Sequence, residues 1–511
     1  MIHPEERPDA AASWRNLTNS LEGGSEFGAF WRFGRDQPPQ PDGPFYLLNS
    51  RTVLRYEPSI FEYASLMCSL TRSKKYFNED GYKVLRTIKG RSCAAREIAG
   101  ELGDESDSSI DAIEAFLDPL VEEGLVLKAK YSISPRPPPS QETDSPSSEF
   151  PIPYPSAPYF TMIYLTYNCN LKCKHCGLSC DLTMNNLSGS QWVKIFDLLE
   201  RGGISTVTLN GGEPLLHPDI DIILKRLARS PFWVRVFTNG TVLTDEKVEH
   251  ISRGRNFYVS ISLDGANAAT HDDFRGKPGT FEKIIESFER LNRAPSDIVC
   301  KAACVIHKKN LDQFEDLIEL ALQYNLQGVH FVSMNYLGKA QTEGYYISVQ
   351  KHPEILTSIM DTAKKYEDKL PITIQGRGPT LKDFDRPAPE YFNHTFTCNA
   401  GVLDWMIDPV GDVFPCETIV ALKKEQRDQF YLGNISSESM SKIWNSPNYH
   451  VFRGGYDESN LTMCTQCSFY ELCGDKVCRL YALATTGNFD GPAYECRFSQ
   501  KDLGIPIQKK G

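Results

Sequence analysis

Basic residues are too few in this sequence to give the protein a basic surface. Its 511 residues include 55 Lys and Arg against 66 Asp and Glu, so the formal net charge is -11. Proteins that hold nucleic acid or an anionic membrane through their general charge need the opposite balance, because phosphate repels an acidic surface. We therefore predict no nucleic-acid partner and no membrane partner, and an anionic ligand would need a local site.

Long apolar runs are absent as well. No stretch of the sequence approaches the roughly 18 consecutive apolar residues of a membrane-spanning helix. The first residues, MIHPEERPDAAASW, contain acidic residues and proline where a secretory signal has a basic start and an apolar segment. Together these absences predict a cytoplasmic protein.

Cysteine, by contrast, is abundant. The sequence has 15 cysteines, and cytoplasmic thiols are kept reduced, so a framework of disulfides is not expected. Most of the cysteines fall in two groups, one in a short loop at residues 169–180 and one in a tail at residues 398–496. Clustered thiols in a reducing compartment indicate metal binding.

The first part of the chain divides into an arm, a small domain and a linker. Residues 1–43 are polar and rich in Gly, Pro and Asp, which predicts a flexible arm. Residues 44–132 show short alternating strands followed by three helical patterns, which is typical of a winged-helix-like domain. Pro and Ser dominate residues 133–157 without any period, which predicts a semi-rigid linker.

The remainder of the chain divides into an α/β domain and a cysteine-rich domain. Strand and helix patterns alternate through residues 158–385 as six successive βα units. Such units imply an α/β fold with a parallel sheet, either an incomplete (β/α) barrel or a doubly wound sheet, with the active site at the carboxyl ends of the strands. The period is lost in residues 386–500, where cysteine returns, so we predict a domain organised by metal more than by an apolar core. Residues 501–511 form a short tail.

The first cysteine group follows the first predicted strand of the α/β domain. Cys169, Cys173 and Cys176 have the spacing C-x3-C-x2-C. This spacing also fits one helix face, but Leu171 is the only apolar residue among their immediate neighbours, which disfavours a buried helical stripe. A zinc site with His175 as the fourth ligand is a second alternative, although adjacent residues rarely point at one metal. Three thiolates on a 4Fe-4S cluster would leave one iron open to bind a ligand.

The loop resembles the cluster motif of the radical S-adenosylmethionine (radical SAM) enzymes. Segments after the next strands resemble the cofactor-facing segments of that family. The resemblance implies a partial (β/α)6 TIM-like barrel in which the three cysteines hold a 4Fe-4S cluster that binds S-adenosylmethionine. It also implies the cofactor-binding residues His175 in the aromatic position before the third cysteine, Gly211, Gly212 and Glu213 in NGGEP, Asn239 in TNG, Ser262 in SISLDG, and Arg275 in HDDFRG. Arg275 is expected to pair with the methionine carboxylate, with an ordinary surface ion pair as the alternative.

The cysteines of the tail resemble in spacing those of the SPASM domain, which carries auxiliary 4Fe-4S clusters. The resemblance implies that Cys398, Cys416 and Cys478 hold a first auxiliary cluster, and that Cys464, Cys467, Cys473 and Cys496 hold a second. Four residues separate Cys473 from Cys478, where the family usually has three. Zinc is the alternative metal, because C-x2-C pairs are common in zinc ribbons.

Two further features of the sequence bear on the chemistry of the auxiliary clusters. Three cysteines in the first auxiliary set would leave an open iron, and a substrate thiolate is a good iron ligand. Cys300 and Cys304, on the fifth predicted strand of the α/β domain, are expected in the core instead. Glu417, directly after Cys416, is a candidate general base, and a solvated or hydrogen-bonding supporting role is the alternative.

The N-terminal domain resembles the peptide recognition element of ribosomal-peptide (RiPP) biosynthesis, through YFNEDGYKVLRTIKG and LVEEGLV. The resemblance implies that residues 44–132 bind the leader of a precursor peptide, for which an exposed strand edge is suited. A DNA-binding winged helix is the alternative. The acidic stretch GELGDESDSSIDAIEAF disfavours it, because phosphate would be repelled.

These resemblances together predict a leader-guided radical SAM maturase of a ribosomally made peptide. Such a peptide-modifying oxidoreductase would use S-adenosylmethionine, three 4Fe-4S clusters and an electron donor such as flavodoxin or ferredoxin. We favour a thioether as the bond formed, with a carbon-carbon or carbon-oxygen cross-link as the next candidate. A sulfatase-maturase-like oxidation of a protein residue would not need the N-terminal domain, and a zinc-binding scaffold would hold zinc instead of iron.

Overall fold

The structure is a computed structural model. It describes residues 31–33, 45–48, 52–56, 64–68, 73–89, 91–129, 133–135, 154–178, 185–294, 298–347, 352–375, 400–461, 464–465 and 478–492. Contacts define two units, one built mainly from the first 142 residues and a larger one built mainly from the residues that follow. No helix in the described ranges is long and apolar enough to cross a membrane.

The N-terminal unit combines short antiparallel strands with three helices. Its elements in chain order are β1 (Trp31–Phe33), β2 (Phe45–Leu48), β3 (Thr52–Tyr56), β4 (Ala64–Cys68), β5 (Ser73–Phe77), α1 (Glu79–Thr87), β6 (Cys93–Ala94), α2 (Ala95–Leu102), α3 (Asp107–Glu122), β7 (Val126–Ala129) and β8 (Ile133–Pro135). Strands β3, β4 and β5 form an antiparallel meander, and β2 pairs with both β6 and β7. Strands β1 and β8 pair with each other. They lie in stretches that the sequence analysis assigns to the arm and the linker.

One apolar core joins the strands and helices of this unit. Leu54 and Leu66 from the meander pack with Leu85, Ile98 and Leu117 from the three helices, and all five are buried. The helix starts are capped as the sequence allows: Asn78 accepts from Gly81 N before α1, and Ser106 accepts from Ser109 N before α3. The classification of this unit as a winged helix stays a prediction.

The larger unit alternates parallel strands with helices. Its elements are β9 (Phe160–Thr166), α4 (Gly189–Arg201), β10 (Thr206–Gly211), a 3-10 helix (Pro214–Leu216), α5 (Ile220–Leu227), β11 (Trp233–Thr238), α6 (Asp245–Ser252), β12 (Phe257–Ser262), α7 (Ala268–Arg275), α8 (Thr280–Arg293), β13 (Val299–Ile306), α9 (Phe314–Gln323), β14 (Val329–Ser333), a 3-10 helix (Gly338–Gln341), α10 (His352–Lys364) and β15 (Ile372–Gln375).

The strands of this series lie in the sheet in the same order as in the chain. Each of β9 to β15 pairs in parallel with the next, because every crossover helix returns the chain to the same edge. Inner residues such as Val207, Leu209 and Val259 are fully buried, as expected for a sheet covered by helices. The predicted α/β fold with a parallel sheet is confirmed. Strand β15 follows the sixth unit as a seventh parallel strand, and the predicted (β/α)6 TIM-like barrel stays a prediction.

The C-terminal part of the larger unit extends the same sheet beyond β9. Its elements are β16 (Asp404–Ile407), β17 (Asp412–Phe414), a 3-10 helix (Glu417–Ala421), α11 (Lys424–Arg427), a 3-10 helix (Asp428–Phe430), β18 (Gly433–Asn434), α12 (Met440–Trp444), 3-10 helices (Pro447–Phe452 and Glu458–Asn460) and α13 (Arg479–Thr486). Strand β16 pairs in parallel with β9, and β17 and β18 follow in antiparallel pairing. The region of the second cysteine group is thus attached directly to β9, the strand that precedes the first cysteine group.

An aromatic core organises this C-terminal region. Trp405, Trp444 and Tyr449 are fully buried, and the buried Arg453 guanidinium lies 3.5 Å from the Tyr154 ring centre and 4.1 Å from that of Tyr449. A cation over desolvated aromatic faces contributes about 2 kcal/mol. Residues 400–461 therefore have an apolar core, which the sequence does not indicate because its apolar side chains are scattered without a period. That metal organises this region stays a prediction.

Candidate active site

The loop that carries the first three cysteines begins where β9 ends and packs against the end of β10. Gly212 N donates to the Thr166 carbonyl at 2.8 Å, and Glu213 N donates to the Asn168 carbonyl at 2.8 Å. A Cβ atom at Gly211, whose φ is +137°, would lie 2.2 Å from Thr166 O, and one at Gly212 would lie 2.3 Å from Asn168 O. No side chain fits at either position, so the two glycines allow the cysteine loop to reach the sheet.

The carboxylate of Glu213 ties the ends of β10 and β11 together. It is fully buried, and its Oε1 accepts from Thr238 Oγ1 at 2.7 Å and from Leu215 N at 3.1 Å, while Oε2 accepts from Asn239 N at 2.7 Å. Burial raises the pKa of Glu213, and these donors lower it in part. A carboxylate oxygen can accept two hydrogen bonds, and among the described contacts Oε2 accepts one. Contact of Glu213 with a cofactor ammonium group stays a prediction.

Asn239 links this carboxylate to the first cysteine. Its Nδ2 lies 3.0 Å from Asn170 Oδ1 and 3.9 Å from Cys169 Sγ. Its Oδ1 accepts from Thr241 N at 2.9 Å and from Thr241 Oγ1 at 2.7 Å. The side-chain amide is therefore fixed from both ends, with its N–H directed at a cysteine sulfur, and such donors tune iron-sulfur sites.

Arg275 lies against the second cysteine. It is only 7% exposed, its guanidinium pairs with the fully buried Asp264, and its Nη1 lies 3.7 Å from Cys173 Sγ. Burial alone would lower the pKa of Arg275, but the charges of Asp264 and Cys173 raise it above its ordinary value. The alternative of a surface ion pair is wrong, because the pair is buried. The contact with a methionine carboxylate stays a prediction.

His175, in the aromatic position before the third cysteine, belongs to a stack of rings. It stacks on Phe274 with ring centres 4.6 Å apart and planes within 8°, and Phe274 stacks on His307 at 4.0 Å. Burial first, and then the charge of Arg275, lower the pKa of His175 to about 3. The imidazole is therefore neutral near pH 7, and it adds no charge beside the cysteines.

The three cysteines suit a cluster better than a single ion. Their sulfur atoms do not all lie within 4.8 Å of one another, whereas three thiolates on one zinc ion are only ~3.8 Å apart for Zn–S bonds of about 2.3 Å. Burial raises the pKa of Cys169 to about 11 and also raises that of Cys173, which Arg275 lowers in part. Iron must displace these protons, so loading of a 4Fe-4S cluster would release protons.

A short segment connects the third cysteine to the second cysteine group. Lys339 N donates to the Cys176 carbonyl at 3.0 Å, and a Cβ atom at Gly338 would lie 2.3 Å from the same oxygen. Next to them, Leu337 packs with Tyr481 and Cys478, and Tyr336 N donates to the Tyr481 hydroxyl at 2.9 Å. Residues 336–339 thus contact the loop of Cys176 on one side and the start of α13 on the other.

Glu417 follows Cys416 and influences the titration of two further residues. Glu417 is exposed, yet desolvation by the surrounding protein raises its pKa. Burial, together with the charge of Glu417, raises the pKa of Asp404 to about 7. Burial also raises the pKa of Tyr164 on β9, with smaller contributions from Glu417, Cys416 and Cys176. Tyr164 therefore lies within electrostatic range of both cysteine groups.

The other predicted residues divide into those that the structure describes and those that it does not. Ser262 Oγ donates to the Thr238 carbonyl at 3.3 Å, at the ends of β12 and β11. Cys300 and Cys304 are buried on β13, which confirms that they belong to the core. Cys416, Cys464 and Cys478 are described and partly exposed. The remaining cysteines of the tail prediction, Cys398, Cys467, Cys473 and Cys496, lie outside the described residues.

Several contacts of the site are absent from the sequence predictions. The short helix α7 presents Phe274 and Arg275 to the cysteine loop, and Gly276 follows with a φ of +70°, where a Cβ atom would lie 2.5 Å from Lys172 O. In the sequence, Asn267 indicates the start of this helix, because asparagine is a preferred capping residue. It caps α7 by accepting from Thr270 N at 3.0 Å. Nothing in the sequence pattern indicates the contact of residues 336–339.

The fold and the site define an α/β enzyme whose three-cysteine loop, at the carboxyl end of the first strand of a parallel sheet, is suited to a 4Fe-4S cluster. A sequence profile described as the radical SAM superfamily matches residues 163–321, and one described as SPASM, an iron-sulfur cluster-binding domain, matches residues 398–468. The chain therefore contains a radical SAM domain and a SPASM domain. These domains imply S-adenosylmethionine and 4Fe-4S clusters as cofactors.

Similar proteins include a bacteriocin biosynthesis protein and a heme synthase. The antilisterial bacteriocin subtilosin biosynthesis protein AlbA of Bacillus subtilis is 26% identical over 426 residues, which is 82% of this chain and 86% of AlbA. The AdoMet-dependent heme synthase of Methanosarcina barkeri is 29% identical over 346 residues, 65% of this chain and 95% of the synthase. The crystal structure of Streptococcus suis SuiB bound to its precursor peptide SuiA superposes with a TM-score of 0.65 at 14% identity, over 89% of this chain and 100% of SuiB.

Proposed function

We propose that this enzyme is a leader-guided maturase that cross-links a ribosomally made peptide. The observation that carries the proposal is the N-terminal unit, which radical chemistry alone does not require. The match to AlbA is longer than the stretch from residue 163 to the end of the chain, so it reaches back into this unit. The match to the heme synthase is shorter. The N-terminal unit, with the partner that it would bind, is therefore the feature that separates AlbA from the heme synthase.

The meander of the N-terminal unit offers a place for the leader peptide. Among its described residues, β3 and β5 are the edges of the three-stranded sheet β3-β4-β5. Tyr76 on β5 is 49% exposed, and Lys75 beside it pairs with Glu123 at 2.8 Å. An extended peptide that added a strand to such an edge would gain main-chain hydrogen bonds, with exposed side chains such as Tyr76 to supply specificity.

The residues around the first cysteine group would hold the first cluster and its cofactor. Cys169, Cys173 and Cys176 would bind the cluster, and the cluster with S-adenosylmethionine supplies a 5′-deoxyadenosyl radical that abstracts hydrogen from a peptide carbon. Asn239 and Arg275 direct donors at the cysteine sulfurs, and Arg275 is kept in place by Asp264. The residues Gly211, Gly212, Glu213, Asn239, Ser262, Arg275 and His175 would surround the cofactor.

The second cysteine group would hold two auxiliary clusters, which makes three in all. Cys398, Cys416 and Cys478 would bind the first, and Cys464, Cys467, Cys473 and Cys496 the second. Three ligands in the first set suit the capture of a substrate thiolate, so we propose a thioether as the bond formed. Glu417, directly after Cys416, would accept the proton of the substrate thiol. The electron released when the carbon radical bonds to the sulfur would pass to the first auxiliary cluster. An electron donor such as flavodoxin or ferredoxin and a cytoplasmic location complete the proposal.

The test uses the full enzyme, loaded with iron and sulfide under anaerobic conditions, and a candidate precursor peptide. The proposal predicts about twelve irons per chain, as three 4Fe-4S clusters require, formation of 5′-deoxyadenosine, and a product 2 Da lighter with one thiol fewer. A product 2 Da lighter with every thiol still reactive would replace the thioether by a carbon-carbon or carbon-oxygen cross-link. Zinc in place of iron would overturn the radical enzyme.

A pair of variants tests the recognition step separately. Replacement of the exposed aromatic residue by Tyr76→Ala should weaken binding of the leader about tenfold, a change of ~1.4 kcal/mol. Met360→Ala on α10 is the matched control, because Met360 is equally exposed at 49% but belongs to the larger unit. Cleavage of S-adenosylmethionine without peptide should be the same in both. Equal leader affinity in both variants would remove β5 from the proposal, and full turnover on a peptide without its leader would favour the sulfatase-maturase alternative.

A further inference from the structure

A histidine and two carboxylates meet on the helical layer, away from both cysteine groups in sequence. His250 lies in the last turn of α6 with Glu246 one turn before it, and Asp221 lies in the first turn of the neighbouring helix α5. His250 Nε2 is 3.7 Å from Asp221 Oδ1 and 3.7 Å from Glu246 Oε1. One ligand atom from each residue lies within 4.8 Å of both others.

Ordinary helix chemistry explains the carboxylates but not the histidine. Acidic residues in a first turn are favourable because they complement the partial positive charge of the helix N-terminus. His250, however, is only 4% exposed, and neither of its ring nitrogens has a hydrogen-bond partner, nor does Asp221 Oδ1. A separation of 3.7 Å is too long for a hydrogen bond. Buried polar atoms of native proteins nearly always have a partner. His250 Nε2 and Asp221 Oδ1, which lie near each other, therefore flank a position that a further group would fill.

We propose that Asp221, Glu246 and His250 bind one zinc ion, separate from the iron sites. Imidazole nitrogen and carboxylate oxygen are ordinary zinc ligands with bonds of about 2.0–2.2 Å, which place two ligand atoms of a tetrahedral ion ~3.4 Å apart. The two 3.7 Å separations from His250 Nε2 need only a small closure around the ion. Residues at i and i+4 project from one helix face, as Glu246 and His250 do here.

The charge and exposure of the three side chains suit such an ion. Two carboxylates and a neutral imidazole would balance the charge of a divalent cation. The side chains of Asp221 and Glu246 are 39% and 66% exposed, so the ion can enter from solvent and keep water as its fourth ligand. Cysteine is absent from this set, whereas iron-sulfur clusters are held by cysteine thiolates. The site therefore selects a different metal from that of the cysteine loop.

The zinc ion would fasten two crossover helices of the enzyme to each other. Helix α5 follows the strand that ends at the glycine pair before Glu213, and helix α6 follows the strand that leads to Asn239. A metal that joins these helices would stabilise the part of the sheet from which both cofactor-facing segments emerge. It also means that zinc in a preparation would not by itself show that zinc occupies the cysteine sites.

The test measures zinc and iron separately in the iron-loaded full-length enzyme. After incubation with zinc and removal of excess on a desalting column, the native protein should keep one zinc per chain with iron unchanged. Its zinc X-ray absorption should show nitrogen and oxygen at about 2.0–2.1 Å and no sulfur at about 2.3 Å. The variants His250→Gln and Glu246→Gln should lose the zinc and keep the iron.

Glu249→Gln is the matched control, since Glu249 lies on the same helix and pairs with Arg253 instead. It should keep the zinc. Because Glu246 is largely exposed, Glu246→Gln should fold even if His250→Gln proves unstable. Absence of retained zinc from the native protein would overturn the proposal, and so would zinc that is bound through sulfur or that persists in Glu246→Gln.

Discussion

The two cysteine groups are held in opposite ways. The first lies on a loop whose backbone packs closely against Gly212. The side chains of Asn239 and Arg275 lie against the sulfur atoms of this loop. Cys416 of the second group follows a strand pair that continues the same sheet, in a region that has a buried aromatic core. The first cysteine group is thus set among hydrogen-bonding side chains, whereas the region of the second group is attached by sheet pairing and packing.

Two connections join the surroundings of the two cysteine groups. Strand β9 pairs with β16 and also leads into the first cysteine loop, so one strand supports both regions. Residues 336–339 provide a second connection, from the Cys176 carbonyl to Tyr481 near Cys478. The separation of the two groups is therefore set by one sheet and one short segment, while the immediate surroundings of each group can be altered independently.

Cysteine replacement should give the largest separation between the two groups. Cys173→Ala should abolish formation of 5′-deoxyadenosine and remove about four of the twelve irons expected for three clusters. Cys416→Ala should also lose iron but keep cleavage of S-adenosylmethionine, because the first loop does not use that residue, and it should form no cross-linked peptide. Iron analysis and chromatography of 5′-deoxyadenosine check both. Equal loss of deoxyadenosine in the two variants would contradict independent sites.

Glycine replacement should disturb the first group almost as strongly. In Gly212→Ala the new methyl group would lie 2.3 Å from Asn168 O and 2.5 Å from Tyr167 O, both backbone atoms that cannot move alone. We expect at least a hundredfold loss of S-adenosylmethionine cleavage, since misplacement by an ångström at a reacting centre costs about that much. Gly177→Ala is the control in the same loop, where the methyl group would meet only Leu337 Cβ at 3.7 Å. Similar activity in both variants would show that the loop does not depend on the glycine contact.

The sequence predicts the parallel sheet well because its strands are buried runs separated by helical patterns. Helices α4 and α6 begin directly after Ser188 and Thr244, residue types that favour helix starts. The three-cysteine loop and NGGEP are recognisable from spacing alone. Local rules suffice for these features because each depends on residues close together in the chain.

The features that the sequence does not reveal depend on residues far apart. Asp264, Arg275 and Cys173 span about a hundred positions, and the contact of Lys339 with Cys176 spans more. The aromatic core of the C-terminal region joins Tyr154 to Trp444 and Arg453. No period links such residues, because a core assembled from loops and 3-10 helices imposes none.

Arginine replacement should have an intermediate effect confined to the first group. Arg275→Lys keeps a positive charge but cannot reach Asp264 and Cys173 together, because lysine lacks the planar fork of arginine. We expect a ten- to hundredfold loss of deoxyadenosine formation, as for other residues that support metal ligands, and a shifted electron paramagnetic resonance spectrum of the reduced cluster. Arg290→Lys, in a partly exposed pair with Glu286, is the control and should match the native enzyme. An unchanged spectrum in Arg275→Lys would reduce Arg275 to a packing role.

The smallest expected effect is a pH dependence of stability that arises in the auxiliary region. Asp404 has its pKa raised from an ordinary carboxyl value to about 7, first by burial and then by Glu417. The folded protein therefore binds a proton that the unfolded chain releases between about pH 4 and pH 7, so this residue lowers stability as pH rises through that window. Asp404→Asn removes the titration and should flatten the decline of the melting temperature between pH 5 and pH 8, by a few degrees at pH 8 for ~1–2 kcal/mol. Asp428→Asn, an exposed carboxylate paired with Lys424, is the control and should leave the decline as it is. A decline equally steep in Asp404→Asn would show that Asp404 is ionised in the folded protein. The surroundings of the second cysteine group would then be more polar than its buried aromatic residues indicate.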